Sequence, residues 1–373
     1  MTPMPTERRF SAPGRANLIG EHTDHTGGLV LPAAIDRAIS LEVRPGGDTI
    51  TLRSDGAGEE VRLPADGSEG PDRGWGRYVR AVAAELDDAG RRPVGLVGHL
   101  SSDLPQGAGL SSSAALEVVV ATALCAVADL PLDHLELARL CRRAERRAVG
   151  VPSGIMDQAA SILARAGHGL LLDCHTLEHR HVPLPPDHLL LLIDSGVRRE
   201  LEASPYRART EELGAALPVL GGRRPADVDP EELDGLLAGL DDVPARRLRH
   251  VVTENARVLE VEAALRCGDL DRLGELFDDG HASLRDDFEV TIPELDTLVA
   301  FARGAGATAA RMTGAGFGGS IVALVPSARA AVVGEEVVDA YRRRFPDRTP
   351  TVHLCRAVDG AGRRPPPVDI SET

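Results

Sequence analysis

Lysine is missing from this chain. All 42 basic residues are arginine, beside 57 acidic ones, so 42 − 57 gives a net charge of −15. A Walker A loop needs a lysine, and so does strand β3 of a protein kinase. Any nucleotide phosphate must therefore meet backbone N–H groups, helix dipoles, arginine or metal. The acidic balance also argues against nucleic acid and anionic membrane as partners. Aromatic residues make up only 3% of the chain, which predicts an aliphatic, alanine-rich core. Five cysteines are scattered without a CxxC pair. That pattern predicts reduced thiols, with neither a disulfide framework nor a zinc site. No apolar run reaches the ~18 residues of a membrane span, and the N-terminus has no apolar signal core. A soluble, cytoplasmic protein is expected, and the acidic surface points to a monomer.

A length of 373 residues suits about two domains. Strands are expected at 29–35, 39–44, 49–53, 94–102 and 169–174, with a loop over 54–74. Helices are expected at 75–86, after the serine run at 111, at about 133–149, and from Ile155. Residues 184–196 read as a proline-marked strand and a boundary. This divides the chain into 1–185, 186–358 and a disordered tail, 359–373. Residues 204–285 read as mostly helical. After them come helix 293–304, strand 307–312, a glycine loop, strand 320–326, helix 327–343 and strand 350–356. The class is α+β.

The segment PQGAGLSSSAALEV (105–118) is the strongest local signal. Gly107 and Gly109 let the backbone turn with positive φ and approach a ligand closely. Ser111, Ser112 and Ser113 then open a helix whose first N–H groups lack intrahelical partners. Together they form a phosphate cradle that works without lysine. One serine is explained by capping; three in succession are more than a cap requires. The G-x-S-x-G of a serine hydrolase is not present.

Glu145 borders the apolar stripe of its helix. It is either an exposed partner of Arg142 or Arg146, or a metal ligand aimed at the cradle. Asp157 follows a glycine-bracketed turn. It reads as a dipole complement, or as a carboxylate held ionised by Arg15 and able to take a hydroxyl proton. In GRANLIGEHTDHTGG (14–28), Glu21, His22 and Asp24 offer the charge-assisted contacts that sugar hydroxyls accept.

Together these segments resemble the GHMP kinase family, and within it the galactokinases. The resemblance rests on GRANLIGEHTDHTGGLVLPAAI, PQGAGLSSSAALEV, GVPSGIMDQ, LLLDCHTLEHRHVPLP, ASPYRARTEE and RMTGAGFGGSIVALV, in that order. It implies an N-terminal domain like the second domain of ribosomal protein S5 and a ferredoxin-like C-terminal domain, with the active site between them. It implies ATP and Mg²⁺, and phosphorylation of galactose at its anomeric hydroxyl. Asp157 would be the base and Arg15 the stabiliser of the transferring phosphoryl group. Glu21, His22, Thr23, Asp24, Gly154 and Tyr206 would bind sugar. Gly107, Ala108, Gly109, Leu110, Ser111, Ser112 and Ser113 would hold the ATP phosphates. Ser113 and Glu145 would hold Mg²⁺, and Trp75 would stack on adenine. His25 and Thr26 stand where galactokinases usually have Tyr-Asn. A related sugar, such as N-acetylgalactosamine, arabinose or a larger galacto-configured one, therefore stays open here, as does a non-catalytic sugar sensor.

Overall fold

The computed structural model describes residues 7–55, 58, 60–105, 107–150, 153–198 and 205–364. Its first strand, β1 (Arg8–Asn17), runs through SAPGRAN, where Pro13 and Gly14 read as a break in sequence. The structure absorbs that break as a register shift against β3 (Pro32–Pro45) between Pro13 and Arg15. A bulge of this kind re-aims the side chain that follows it. Gly14 is needed there, since a Cβ would lie 2.7 Å from the Leu110 backbone carbonyl oxygen.

The two strands expected at 29–35 and 39–44 are instead a two-residue β2 (Leu29–Val30) and one long β3. The polar Asp36-Arg37 pair, which looked like a break, is carried inside the strand. β4 (Thr49–Ser54), β5 (Val61–Pro64) and β6 (Leu96–Ser102) complete the sheet, with β13 (Gly362–Arg364) on its far edge. The order is β13-β1-β3-β6-β4-β5. Two expectations are corrected here. β5 falls within the expected loop, because a four-residue edge strand carries too little alternation to be read. β13 falls within the expected disordered tail, where pairing with Arg9–Ser11 orders it. Residues 365–373 lie outside the described part.

Helices α1 (Gly76–Asp88), α2 (Ser112–Val127), α3 (His134–Val149) and α4 (Met156–Leu163) pack together, and α2 and α4 lie on β1 and β3. α2 is apolar on nearly every side and buried accordingly. A small sheet joins β2 to β7 (His168–Asp173) and β8 (His179–Pro183). The second main sheet is antiparallel, in the order β10 (Ala309–Thr313), β11 (Ser320–Pro326), β9 (His188–Asp194) and β12 (Thr351–Cys355). α9 (Pro293–Gly304) and α10 (Ala330–Arg344) cover it. α5 (Pro205–Ala216) and the short α6 (Leu233–Leu237) lead into α7 (Asp242–Cys267) and α8 (Leu270–Asp286).

Two buried clusters form the core, and α7 spans both. Its Leu248, Val251 and Val252 enter the cluster around the second sheet, while Val258, Val261 and Leu265 enter the cluster around the first. The core is aliphatic, as the composition predicts; Phe10, Phe277, Phe288 and Tyr341 are its buried aromatics. Among the described residues, no helix is long and apolar enough to cross a membrane.

Candidate active site

The bulge in β1 turns Arg15 towards the first turn of α4. Its Nε donates to Asp157 Oδ1 at 2.7 Å and its Nη2 to Oδ2 at 2.9 Å, while Nη1 reaches the Gly109 carbonyl at 2.6 Å. Arg15 is buried, whereas the Asp157 side chain keeps 29% of its exposure and stays within reach of a ligand. The hydroxyl of Ser111 also donates to Asp157. Ser111 has φ 59°, a left-handed conformation that costs energy in a non-glycine residue. The strain sits at the N-cap of α2, where it aims the hydroxyl at the carboxylate.

The carbonyls of the glycine loop point into the protein. Ala108 accepts from Ser320 Oγ at 2.7 Å, and Leu110 accepts from the Arg15 backbone N–H at 3.2 Å. The first N–H groups of α2, on Ser112, Ser113 and Ala114, have no carbonyl one turn earlier. Ser113 Oγ lies 3.4 Å from Glu145 Oε1 on α3. Burial and the nearby Asp157 raise the Glu145 pKa, and hydrogen bonds from Ser153, Gln158 and Ser113 oppose that. Behind Glu145, Gln158 Nε2 stands 3.1 Å from both Glu145 Oε2 and Glu117 Oε2. Glu117 is fully buried in α2, and burial together with the Glu145 charge pushes its pKa well up.

The loop between β1 and β2 forms the opposite wall. Glu21 is buried, with Oε2 2.9 Å from Arg311 Nη2. Burial raises its pKa and Arg311 opposes the rise. His22 has φ 64° and stacks at 4.5 Å on Phe288; burial holds its pKa well below the ordinary histidine value, and His250 and His25 add to that. Asp24 accepts from the His25 backbone N–H at 2.9 Å, and His25 Nδ1 lies 3.6 Å away. Burial would raise Asp24, but the bonds and charges of His25 and His22 bring it below the usual carboxylate value. Gly154 lies so close to this side chain that a Cβ would stand 1.6 Å from Asp24 Oδ2.

One cavity of about 210 Å³ joins these walls, lined by Arg15, Glu21, His22, Asp24, Glu145, Ser153, Gly154, Met156, Asp157, Tyr206, Gly314 and Ala315. Tyr206 sits at the rim, 37% exposed, with its ring 5.8 Å from that of His22. The glycine-serine loop 107–113 lies outside this lining, as do Thr23 and Trp75. Thr23, expected among the sugar contacts, is fully buried and faces the Gly20 and Leu29 carbonyls at 2.9 and 2.7 Å. Its hydroxyl closes the loop instead of meeting the cavity. Trp75 is half-buried before α1 and packs against the first core.

Several residues at the site went unread in sequence. Glu117 and Arg311 each carried a signal, being lone charges in apolar runs that become a buried helix and a buried strand. Glu254 carried a fainter one, three residues after Val251 and four before Val258 on the buried stripe of α7. Gln158 follows the aspartate of an already quoted motif. Ser153, Gly314 and Ala315 also lie inside quoted motifs, GVPSGIMDQ and RMTGAGFGGSIVALV, without being singled out there.

Residues 77–165 match the family model for the GHMP kinases N-terminal domain, and residues 261–343 the GHMP kinases C-terminal model. Residues 3–45 match the galactokinase galactose-binding signature. The galactokinase of Roseiflexus sp. (strain RS-1) is 43% identical over 359 residues, 94% of this chain and 92% of that protein. The chain belongs to the GHMP kinase family, among the galactokinases. The structure of Lactococcus lactis galactokinase complexed with galactose agrees with this assignment. It superposes on this member of the family with a TM-score of 0.90 at 33% identity, covering 95% of both chains. Methanococcus jannaschii mevalonate kinase, at 19% identity and a TM-score of 0.67 over 95% of this chain and 99% of that one, shares the fold.

Proposed function

We propose that the chain is an ATP-dependent galactokinase, converting galactose and ATP to galactose 1-phosphate and ADP. One observation carries this reading. The Arg15–Asp157 pair lines the same cavity as Glu21, His22 and Asp24, and Glu145 brings that cavity to within 3.4 Å of Ser113 at the mouth of the glycine-serine loop. The likeness to the Roseiflexus and L. lactis galactokinases supports the choice of galactose.

Phosphoryl transfer asks for alignment and for charge stabilisation. Glu21, His22, Asp24, Gly154 and Tyr206 would hold the sugar with its anomeric oxygen towards Asp157. That oxygen attacks the γ-phosphorus of ATP, the bond to the bridging oxygen breaks, ADP departs, and Asp157 takes the hydroxyl proton. Arg15 offsets charge on the transferring group and holds both oxygens of the Asp157 carboxylate in place through its two hydrogen bonds. The N–H groups and hydroxyls of 107–113 cradle the phosphates. We place adenine against Trp75.

Four carboxylates and one guanidinium line the cavity, a poor setting for a polyanion alone. Among the described residues, no three His, Cys, Asp or Glu side chains converge on a metal site. Ser113 and Glu145 supply two hard oxygens, and Mg²⁺ takes one or two from protein with the rest from phosphates and water, so the pair fits it. Bound there, Mg²⁺ would neutralise phosphate charge. We further propose that the enzyme works as a cytoplasmic monomer.

The test is ADP release with galactose, galactosamine, N-acetylgalactosamine, arabinose and glucose. Galactose should give the highest kcat/KM. A stronger response to another sugar, or galactose binding without turnover, would overturn the reading.

A further inference from the structure

Arg311 lies on β10, fully buried, in a strand otherwise made of small and apolar side chains. Its Nη2 is 2.9 Å from Glu21 Oε2 and 2.6 Å from Glu254 Oε1. Glu254, also fully buried, accepts from the backbone N–H groups of Gly20 at 2.9 Å and Glu21 at 3.3 Å, and from Arg257 Nε at 2.9 Å. His250, one turn earlier on α7, meets the Glu21 carbonyl at 3.1 Å, and Asn255 Oδ1 accepts from the Leu29 N–H at 2.7 Å. One face of α7 thus grips both ends of the sugar loop. Space for the guanidinium comes from Gly280 on α8, where a Cβ would stand 2.4 Å from Arg311 Nη1.

A buried cation shared between two carboxylates is costly to build without a purpose in view. Main-chain bonds alone would hold the loop. Arg311 pairs with the Glu21 side chain, whose oxygens have no other hydrogen-bonding partner among the described residues and which lines the cavity. We propose that Arg311, anchored by Glu254, is a positioning residue that sets the orientation of the Glu21 carboxylate and thereby the selectivity of the site for one hydroxyl of the sugar. The inference rests on the sugar-kinase reading of this cavity.

The experiment measures sugar affinity by calorimetry for galactose and its single-deoxy analogues, alongside ADP release. Glu21→Gln in the full-length protein first identifies the hydroxyl that Glu21 reads, as the analogue whose disadvantage disappears. Arg311→Lys keeps the charge and loses the planar guanidinium whose Nη2 meets both carboxylates. Glu254→Gln keeps the shape and loses the anchor. Gly280→Ala crowds the guanidinium while keeping every charge, and serves if the other two do not fold. Each is expected to weaken galactose binding by about 10- to 100-fold, with kcat moving much less, and to erase discrimination against that same analogue. Folded variants that keep wild-type affinity and ranking would overturn the inference, as would a uniform loss across all analogues. ADP release by the wild-type protein reads the proposed function separately: no turnover with galactose refutes that reading, while the calorimetric comparison still judges Arg311.

Discussion

Arg15 and Asp157 are joined by two parallel hydrogen bonds, 2.7 and 2.9 Å long, although 142 positions separate them in sequence. The fork orients both carboxylate oxygens, and Ser111 adds a third donor. Asp157→Asn keeps the shape and removes the capacity to take a proton. Turnover should fall by about 10²- to 10⁴-fold, the usual contribution of a positioned base, with galactose affinity retained. Arg15→Ala should also lose turnover. Coupled ADP release and calorimetry read the two quantities, and a near-normal rate in Asp157→Asn would remove it from the role of base.

Gly154→Ala puts a methyl group into the space of Asp24 Oδ2. Asp24 must then leave its position in the cavity wall. Galactose KM should rise by about 100-fold, the cost of an ångström-scale misplacement, while ADP affinity stays as in wild type. An unchanged KM would show that Asp24 does not meet the sugar.

Gln158→Leu takes away the amide between Glu117 and Glu145, leaving the buried Glu117 and the half-buried Glu145 without their common donor. The cost should be about 1–3 kcal/mol of stability, read by urea unfolding. The Mg²⁺ concentration for half-maximal rate should rise, because Glu145 loses its orientation. A variant with wild-type stability and metal dependence would contradict the account.

Trp75 is the single tryptophan in the chain. Intrinsic fluorescence therefore reports on one position, and ADP should change its intensity if adenine stacks there. An adenosine titration isolates the base from the phosphates. A flat titration at nucleotide concentrations that support turnover would take Trp75 out of the site.

His22 and His250 are buried, and both pKa values are pushed below 6.5 by burial, that of His250 to about 4. Unfolding lets each ring bind a proton near its ordinary pKa, so the unfolded chain takes up more protons than the folded one as pH falls below about 6.5, down to about 4 in the case of His250. The His250 contribution is complete above 6.5, declines as pH falls, and is gone below about 4, and that of His22 declines in the same direction. Urea unfolding at pH 7.5 and 5.5 should differ by roughly 1 kcal/mol for His250 alone, and His250→Gln should flatten that slope. A slope unaltered by the variant would assign it to other groups.

Much of this protein could be read from local sequence. The glycine-serine loop, the E-H-T-D turn and the G-I-M-D turn each depend on residues within about a dozen positions, where backbone conformation and short side chains decide the chemistry. Missing lysine likewise limited how phosphate could be held before any fold was known. Tertiary structure alone decided what stands between those segments. β1 was hidden because Pro13 and Gly14 mimic a loop until β3 pairs across the bulge. Thr23 looked like a sugar contact until packing turned its hydroxyl inward. Glu254 and Arg311 could be seen as charges in buried stripes, yet their partner, Glu21, lies more than 200 positions away. Local sequence sets φ, ψ and donor type. Which charges share a dry cavity depends on contacts between distant elements, and these exist only once α7 and β10 have packed against the loop.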